Sequence, residues 1–142
     1  MGYGTRETYY GAYQRIVDEN NPVLTCTNQN DKFTVNDTSK GNGALTYPVG
    51  LITIDEVTMA GVNMETDSNS SYYLYTGNDY RTMSPYSFSY LGYAYTFVVR
   101  DGGYVRGYDV SFAVGVRPVI SLKSSVALTG NGTMESPFEL SQ

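Results

Sequence analysis

The sequence predicts an α+β fold, with short helices first and a twisted meander of antiparallel strands after them. Apolar residues recur at helical spacing within residues 5–17. Thr53 and Glu56 have the spacing of a capping box at the start of a second helix. Residues 93–100 alternate as a strand does, and the Asp-Gly-Gly sequence at 101–103 favours a hairpin turn after them.

The first half of the chain is predicted to contain both helices. In order, the predicted elements are a helix over 5–17, a strand over 22–27, a loop over 28–43, a strand over 45–53 and a helix over 54–60 that ends at Gly61. Pro48 places the 45–53 strand at a sheet edge or a bend. Asp55 and Glu56 are both assigned to the capping of the second helix.

The second half is predicted to be mostly β-structure. In order, the predicted elements are a flexible loop over 63–71, a strand over 71–76, a short strand over 81–84 that ends at Pro85, strands over 93–100 and 104–110, a core strand over 115–122, a turn over 129–133 and a last extended segment over 138–140. Tyr93, Tyr95, Phe97 and Val99 are expected on one face of their strand, with Ala94, Thr96 and Val98 on the other.

Length and charge exclude several classes of partner. The 142 residues are enough for one domain with a hydrophobic core, which we expect to span 1–142. With 14 acidic and 9 basic side chains the net charge is -5, which argues against a nucleic-acid partner. No apolar run approaches the roughly 20 residues that span a bilayer, so direct membrane insertion is not expected. The first four residues have neither the basic flank nor the apolar stretch of a signal peptide.

The chain lacks the residues on which most enzymes and metal sites depend. It has no His, and its single cysteine, Cys26, excludes a disulfide within the chain and a Cys-built zinc site. Asp37, Asp79 and Asp101 are calcium-type ligands, but the D-x-D-x-D-G loop is missing. We therefore predict no enzyme activity, no metal and no cofactor; a pair of carboxylates in a pocket would revive the enzyme hypothesis.

Tyrosine is unusually frequent, at 15 residues, and charged residues make up only 16% of the chain, against roughly a quarter in an average domain. Residues 86–122 contain no Lys, Glu, Gln, Met, Trp, Asn or His. One interpretation is an ordinary β-rich stretch, which favours aromatic and β-branched residues. The other is a binding surface like an antibody paratope, because Tyr offers a large contact area with few side-chain torsions.

The same segment has a genetic interpretation. Each of its residue types has a codon that ends in a pyrimidine, and Tyr, Ser and Asp codons differ from Asn codons at a single base. Random replacement of adenines within Asn codons would produce this set of residue types. The segment is therefore a candidate for a region that its gene diversifies.

Three stretches of the chain resemble a known group of proteins. They are Tyr47-Pro-Val-Gly-Leu-Ile-Thr-Ile-Asp-Glu-Val57, Thr82-Met-Ser-Pro85 and Gly115-Val-Arg-Pro-Val-Ile-Ser-Leu122. Over residues 24–140 the chain is similar to bacterial and phage proteins with a C-type-lectin-like (formylglycine-generating-enzyme-like) fold. These include the variable proteins of diversity-generating retroelements. Many of these relatives carry a Trp where this chain has Arg81.

The resemblance implies a stiff framework that holds a variable, ligand-binding region at about residues 80–114. The framework positions would be Thr82, Ser84, Pro85, Gly115, Arg117 and Pro118. We interpret Arg117 as structural, satisfying carbonyls in the β core, with a ligand role as the alternative. The ligand-binding positions would be Tyr80, Arg81, Tyr86, Ser87, Ser89, Tyr90, Tyr93, Tyr95, Arg100, Asp101, Tyr104, Arg106, Tyr108, Asp109, Ser111 and Phe112. Tyr93, Tyr95 and Phe112 are also open to interpretation as core residues.

The chemistry of other members of this fold does not carry over. The Glu-Pro-Asn, Gln-Pro-Asp and Trp-Asn-Asp motifs of calcium-dependent lectins are absent, and so is the cysteine pair of the formylglycine-generating enzymes.

The residues and the resemblance together predict a non-enzymatic surface protein whose hypervariable, Tyr-rich face binds a protein or another cell-surface macromolecule. The resemblance implies a location outside the cell, on a bacterial or phage surface. The alternative is a structural pilus- or surface-associated subunit of the same fold, whose β-rich end packs against another copy.

Overall fold

The computed structural model describes residues 6–25, 37–39, 45–47, 49–64, 68–120, 122, 125–133 and 135–141. These residues form a mixed α+β fold, mostly strands with a few short helices. The strands are β1 (Thr8–Tyr9), β2 (Val49–Leu51), β3 (Asn63–Met64), β4 (Tyr80–Phe88), β5 (Ala94–Val99), β6 (Tyr104–Asp109), β7 (Gly115–Val116), β8 (Pro118–Ile120), β9 (Leu128–Thr129) and β10 (Glu139–Leu140). The helices are α1 (Gly11–Tyr13), which continues as a π-helical turn at Gln14–Asp18, and α2 (Ile54–Met59).

The main sheet is curled and largely antiparallel. Its strand order is β1-β4-β5-β6-β3, and β7 pairs with the first residues of β4, at the end opposite to β1. The strands β4, β5 and β6 are antiparallel neighbours, whereas β3 and β7 run parallel to their partners. Two small antiparallel pairs, β2 with β8 and β9 with β10, lie outside this sheet. The predicted α+β class is therefore confirmed.

The hydrophobic core lies between the helices and one face of the sheet, which we call the inner face. Ile54 and Val57 of α2 are fully buried, and they belong to one cluster with Phe97, Val99 and Val105 of the sheet. Phe97 and Val99 are on the same face of β5, as the alternation predicts. The opposite, outer face of β4, β5 and β6 is turned away from this core.

The second helix confirms the local prediction. The Thr53 hydroxyl accepts a hydrogen bond from the Glu56 amide, and the Glu56 carboxylate accepts one from the Thr53 amide at 2.8 Å. Gly61 adopts φ +108°, the left-handed conformation that ends helices. The assignment of Asp55 to capping is wrong, because Asp55 is buried and accepts hydrogen bonds from Arg15 at 3.0 and 2.9 Å.

The first predicted helix is only partly correct. Thr8 and Tyr9 pair with Phe88 and Ser87 at the edge of β4 instead of starting a helix. The helix begins at Gly11 and turns into a π-helical segment, in which the Glu19 amide donates to the Gln14 carbonyl at 3.0 Å. The open edge of β4 satisfies the backbone of residues 8–9, and this outweighs a local helical preference.

The strand predicted over 71–76 is wrong. Residues 72–75 form a turn, closed by a hydrogen bond of 3.0 Å from the Tyr75 amide to the Tyr72 carbonyl. Tyr72 is buried in the core, which raises the pKa of its hydroxyl above the ordinary value. Tyr72 and Tyr75 therefore pack against the core from a turn and not from a pleated strand.

The strand predicted to end at Pro85 continues to Phe88. Pro85 pairs with Thr96, and the register shifts on both sides of it. Proline has no amide proton to donate to a neighbouring strand, so it is tolerated in a sheet where the strand pairing is already irregular. The extra residue at this bulge lets both Tyr86 and Ser87 contribute to the inner side of the sheet.

The core strand predicted over 115–122 is also wrong. The structure forms two short strands there, β7 on β4 and β8 on β2. Val116 and Ile120 are 66% and 63% exposed, so this segment lies at the surface of the fold and does not cross its core.

The remaining predictions have mixed outcomes. The hairpin turn at 101–103 is confirmed by the pairing of β5 with β6. The turn predicted over 129–133 begins in the last residue of β9 and lies on the way to β10, which pairs antiparallel with β9. Within the predicted loop over 63–71, residues 63–64 form β3. Residues 22–25 form no strand, and most of the predicted loop over 28–43, together with Cys26, lies outside the described residues.

Candidate functional site

The structure distributes the predicted ligand-binding residues among four environments. Those that are buried or on the inner face are Tyr80, Tyr86, Ser87, Ser89 and Tyr95. Those on or beside the outer face are Arg81, Arg100, Tyr104, Arg106 and Tyr108. Those in or next to the turns at one end of β5 and β6 are Tyr90, Tyr93, Asp109 (the last residue of β6), Ser111 and Phe112. Asp101 lies in the turn at the other end.

The residues on the inner face cannot form an exposed binding surface. Tyr80 is 2% exposed and Ser87 is fully buried. The Tyr86 ring packs edge-on against Phe97 and Tyr13, with ring centroids 4.9 Å apart in both cases. The bulge turns two consecutive residues, Tyr86 and Ser87, toward the core. The residues of this group are therefore not part of the candidate surface.

The outer face is built from residues that are neighbours across three strands. Val98 of β5 lies directly between Arg81 of β4 and Arg106 of β6, and Thr96 lies opposite Tyr108. Val98 is fully buried although it belongs to the face without the core. The aliphatic stems of the two flanking arginines are the side chains placed to cover it.

Arg81 forms four hydrogen bonds beneath the outer face. Its guanidinium donates to the hydroxyl of Thr96, to the carbonyl of Tyr108 at 3.5 Å, to that of Asp109 at 3.1 Å and to that of Phe112 at 2.8 Å. Thr96 and Tyr108 belong to strands, whereas Phe112 belongs to the turn after β6. A single side chain therefore ties this turn to the sheet.

Arg100 lies at the end of the outer face that adjoins the 101–103 turn. Its guanidinium forms an ion pair with Asp79 at 2.8 Å and lies 5.0 Å from the centre of the Tyr108 ring. Partial burial lowers the pKa of Arg100, but the Asp79 carboxylate more than reverses this, so the pKa lies above its ordinary value. Asp79 also accepts a hydrogen bond of 2.8 Å from the Asp101 amide, which fixes the turn. In the structure Asp79 therefore stabilises the turn and orients Arg100.

The two turns at the end of β5 and β6 carry an exposed apolar patch. The Val110 amide donates to the Ala94 carbonyl at 3.0 Å, which places the turn after β6 beside the turn before β5. The patch consists of Tyr90, Leu91, Tyr93, Val110 and Phe112, and each is between 51% and 66% exposed. We call this set the apolar rim. Phe112 also contacts the Tyr108 ring, with centroids 5.2 Å apart, so the rim continues onto the outer face.

The alternative that Tyr93 and Phe112 are core residues is wrong, because both are more than half exposed. For Tyr95 the half-buried side chain shares the inner face with Phe97. Sequence reasoning missed Leu91 and Val110, since apolar residues within a β-rich segment are normally assigned to the core. Their positions outside the strands were the signal that could have identified them, because Val110 directly follows β6 and Leu91 lies in the turn after β4.

The electrostatics of this region are balanced. Between residues 79 and 112 the chain has three arginines and three aspartates, with no Lys, Glu or His. Hydrogen bonds from the Ser111 amide, at 2.8 Å, and from its hydroxyl lower the pKa of Asp109, so that it stays ionised. The net charge of -5 therefore resides elsewhere in the chain, and the candidate surface is locally neutral.

Arg117 has contacts of the kind expected for a framework residue. Its guanidinium donates to the Leu74 carbonyl and lies 4.9 Å from the centre of the buried Tyr80 ring. Among the described residues no group of three Cys, Asp or Glu side chains comes close enough to hold a metal ion. In the same part of the chain, no helix has the length and hydropathy needed to cross a bilayer.

Comparisons with protein-family models, with curated proteins and with solved structures give no match to this chain. The resemblance seen in the sequence therefore stays a prediction.

Proposed function

We propose that this protein is a non-enzymatic binding module with a C-type-lectin-like fold, which contacts a protein or another cell-surface macromolecule through its apolar rim and outer face. The observation that carries the proposal is the apolar rim, five exposed apolar side chains on two neighbouring turns. Monomeric proteins rarely expose such patches unless they bind something there. Tyr90, Tyr93 and Phe112 supply large, rigid contact surfaces of the kind that anchors binding interfaces.

The arrangement of the scaffold supports the same proposal. Binding surfaces are most effective when loops are held by a rigid framework, because little conformational entropy is then lost on binding. Here the rim turns are fixed to β5 and β6 by backbone hydrogen bonds and by Arg81. We further propose that the gene diversifies this region and that the protein acts on a bacterial or phage surface. A nearby imperfect copy of the coding region, differing only at adenines, beside a reverse-transcriptase gene, would support the first point.

A binding experiment tests the main proposal. Peptides are selected from a random display library on the immobilised protein, and their affinities are measured by calorimetry. The variant with Tyr90, Tyr93 and Phe112 all changed to Ala should bind at least tenfold more weakly, since each anchor is expected to contribute about 1–3 kcal/mol. Its Tm should remain close to that of the parent, because these side chains are exposed.

A matched control separates the rim from exposed aromatic residues in general. Tyr47, Tyr73 and Phe138 are 75%, 65% and 61% exposed and lie outside the rim. The triple Ala variant at these positions should keep the parent affinity. Equal losses in both variants, or full binding by the rim variant, would reject the rim as the site.

A second candidate function, a structural subunit that packs against another copy, has its own support. In the β2–β8 pair, Val49 lies opposite Ile120, and in the β9–β10 pair, Leu128 lies opposite Leu140. All of them are between 45% and 63% exposed. Two-stranded pairs are marginal without a packing partner, so these faces suit burial in an assembly.

Sedimentation velocity over a micromolar concentration range tests this candidate. A structural subunit should associate as concentration rises, and changing Leu128 and Leu140 to Ser should abolish the association. A chain that stays monomeric throughout the range would reject the structural-subunit function and leave the binding module.

A further inference from the structure

We propose that Arg81 is the positioning residue of the binding surface, and that the ligand presents aromatic or aliphatic side chains to the Tyr108–Phe112 ring pair instead of negative charges to the arginines. The ligand half of this inference rests on the proposed function, whereas the positioning half concerns the free protein. Arginine at an exposed binding face is normally expected to contact the ligand directly. Here the contacts point to a different role.

The guanidinium of Arg81 is directed into the protein. Its two terminal nitrogens donate to four acceptors, which leaves them engaged before any ligand arrives. Three of these acceptors belong to Thr96, Tyr108 and Asp109 of the sheet, and the fourth is the carbonyl of Phe112. The side chain therefore fixes where the Phe112 ring meets the Tyr108 ring, at 5.2 Å between centroids.

The second arginine near the rings is also neutralised. Arg100 is paired with Asp79 at 2.8 Å while its guanidinium lies over the Tyr108 ring. An anionic ligand would have to compete with that carboxylate, and Asp109 adds a further negative charge beside Phe112. A neutral surface with exposed rings favours an apolar partner, whose binding changes little with salt.

Amide hydrogen exchange of the free protein tests the positioning half. The amides of Val110, Ser111 and Phe112 all form hydrogen bonds and report on the turn. In Arg81→Gln we expect these amides to exchange about tenfold faster, because a loss of roughly 1.4 kcal/mol of local stabilisation gives that factor. The amide of Phe97, in the core strand, should change much less.

Two further variants sharpen this experiment. Arg81→Lys keeps the charge but lacks the forked geometry, so the exchange rates of the turn amides should rise by an intermediate factor. This variant replaces Arg81→Gln in the experiment if Arg81→Gln does not fold. Arg6→Gln, at an exposed arginine in the N-terminal segment, should leave the turn amides unchanged. The positioning role is overturned if the turn amides keep their rates in Arg81→Gln, or if Phe97 accelerates by the same factor.

Titration with small probes, followed by NMR, tests the ligand half. p-Cresol, which has the side chain of tyrosine, should shift the amides of residues 91–93 and 110–112, and inorganic phosphate should not. In Arg81→Gln the apparent Kd for p-cresol should rise about threefold or more, because a smaller fraction of the molecules has the competent turn.

The outcomes separate the two claims. If phosphate shifts these amides and p-cresol does not, the apolar ligand class is wrong while the rim remains a binding site. If neither probe acts there but Arg81→Gln still accelerates turn exchange, the proposed function fails and the positioning role stands.

Discussion

The buried ion pair between Arg15 and Asp55 offers the sharpest test of how the helices are held to each other. Asp55 is 4% exposed, and its carboxylate accepts hydrogen bonds from the Arg15 guanidinium at 3.0 and 2.9 Å and from the Val23 amide at 2.9 Å. The change Asp55→Asn removes the charge and turns an amide group toward these donors. The perturbation is therefore the loss of one buried charge, together with the hydrogen bond that Oδ2 accepts from Arg15; the Asn carbonyl can still accept the two bonds that Oδ1 accepts.

The expected cost follows from this geometry. Breaking a buried ion pair by removing one partner costs about 3–5 kcal/mol. The Arg15 side chain is 35% exposed, so water recovers part of its solvation and the expected loss falls to about 2–4 kcal/mol. For a chain of this size that corresponds to a fall in Tm of about 10 °C.

The pH dependence gives an independent check. Burial raises the pKa of Asp55, but the hydrogen bonds from Arg15 and Val23 outweigh it, so the pKa lies below its ordinary value. Because the folded-state pKa is depressed, the stabilisation is complete above the unfolded value, near 3.9, and is lost as pH falls through the folded value. The difference in unfolding free energy between the parent and Asp55→Asn should therefore be full at pH 7 and shrink below about pH 4.

Urea denaturation followed by circular dichroism at pH 7, 5 and 3.5 measures this difference. Asp18→Asn, at an exposed carboxylate on the neighbouring π-helical turn, is the matched control and should change stability little. A loss below 1 kcal/mol at pH 7, or a loss that stays constant through pH 3.5, would refute the reasoning.

Three other substitutions test local features of the fold by the same denaturation assay. Thr53→Ala should cost about 1 kcal/mol, because it removes the capping of α2. Gly107→Ala should cost about 1–3 kcal/mol, since its new Cβ would lie 2.6 Å from the Tyr86 ring, and the cost should fall in a Tyr86→Ala background. Gly103→Ala should cost more than about 2 kcal/mol, because φ is +78° and the Cβ would lie 2.2 Å from the Asn69 carbonyl oxygen. A neutral result at any of these positions would contradict the corresponding contact.

Elements fixed by short-range chemistry could be predicted from the sequence. The capping box at Thr53, the terminator at Gly61 and the turn at 101–103 each depend on a few adjacent residues, and all are confirmed. The alternation of β5 was also informative, because its inner residues pack directly against the helices.

Elements fixed by distant partners could not be predicted. Residues 8–9 join a strand that lies about eighty positions later, and Tyr72 and Tyr75 pack against the core from a turn. Nothing in a local pattern distinguishes these from a helix start or an edge strand. The bulge at Tyr86 had a similar effect on the site, because it turns both Tyr86 and Ser87 toward the inner side, whereas regular alternation would direct one of them outward.

The roles of the arginines show why residue type alone does not define a binding surface. Arg81 and Arg117 have the same side chain, and both donate mainly to backbone carbonyls, one beneath the rim and one against the core. Strand register determines which side chains reach solvent. It directs Tyr108 outward and places its neighbour Gly107 against the Tyr86 ring. If the gene diversifies residues 80–114, tolerated changes should therefore concentrate in the rim turns and at alternate positions of β6. Changes at buried positions of the same segment should instead unfold the protein, because they remove core contacts rather than alter the surface.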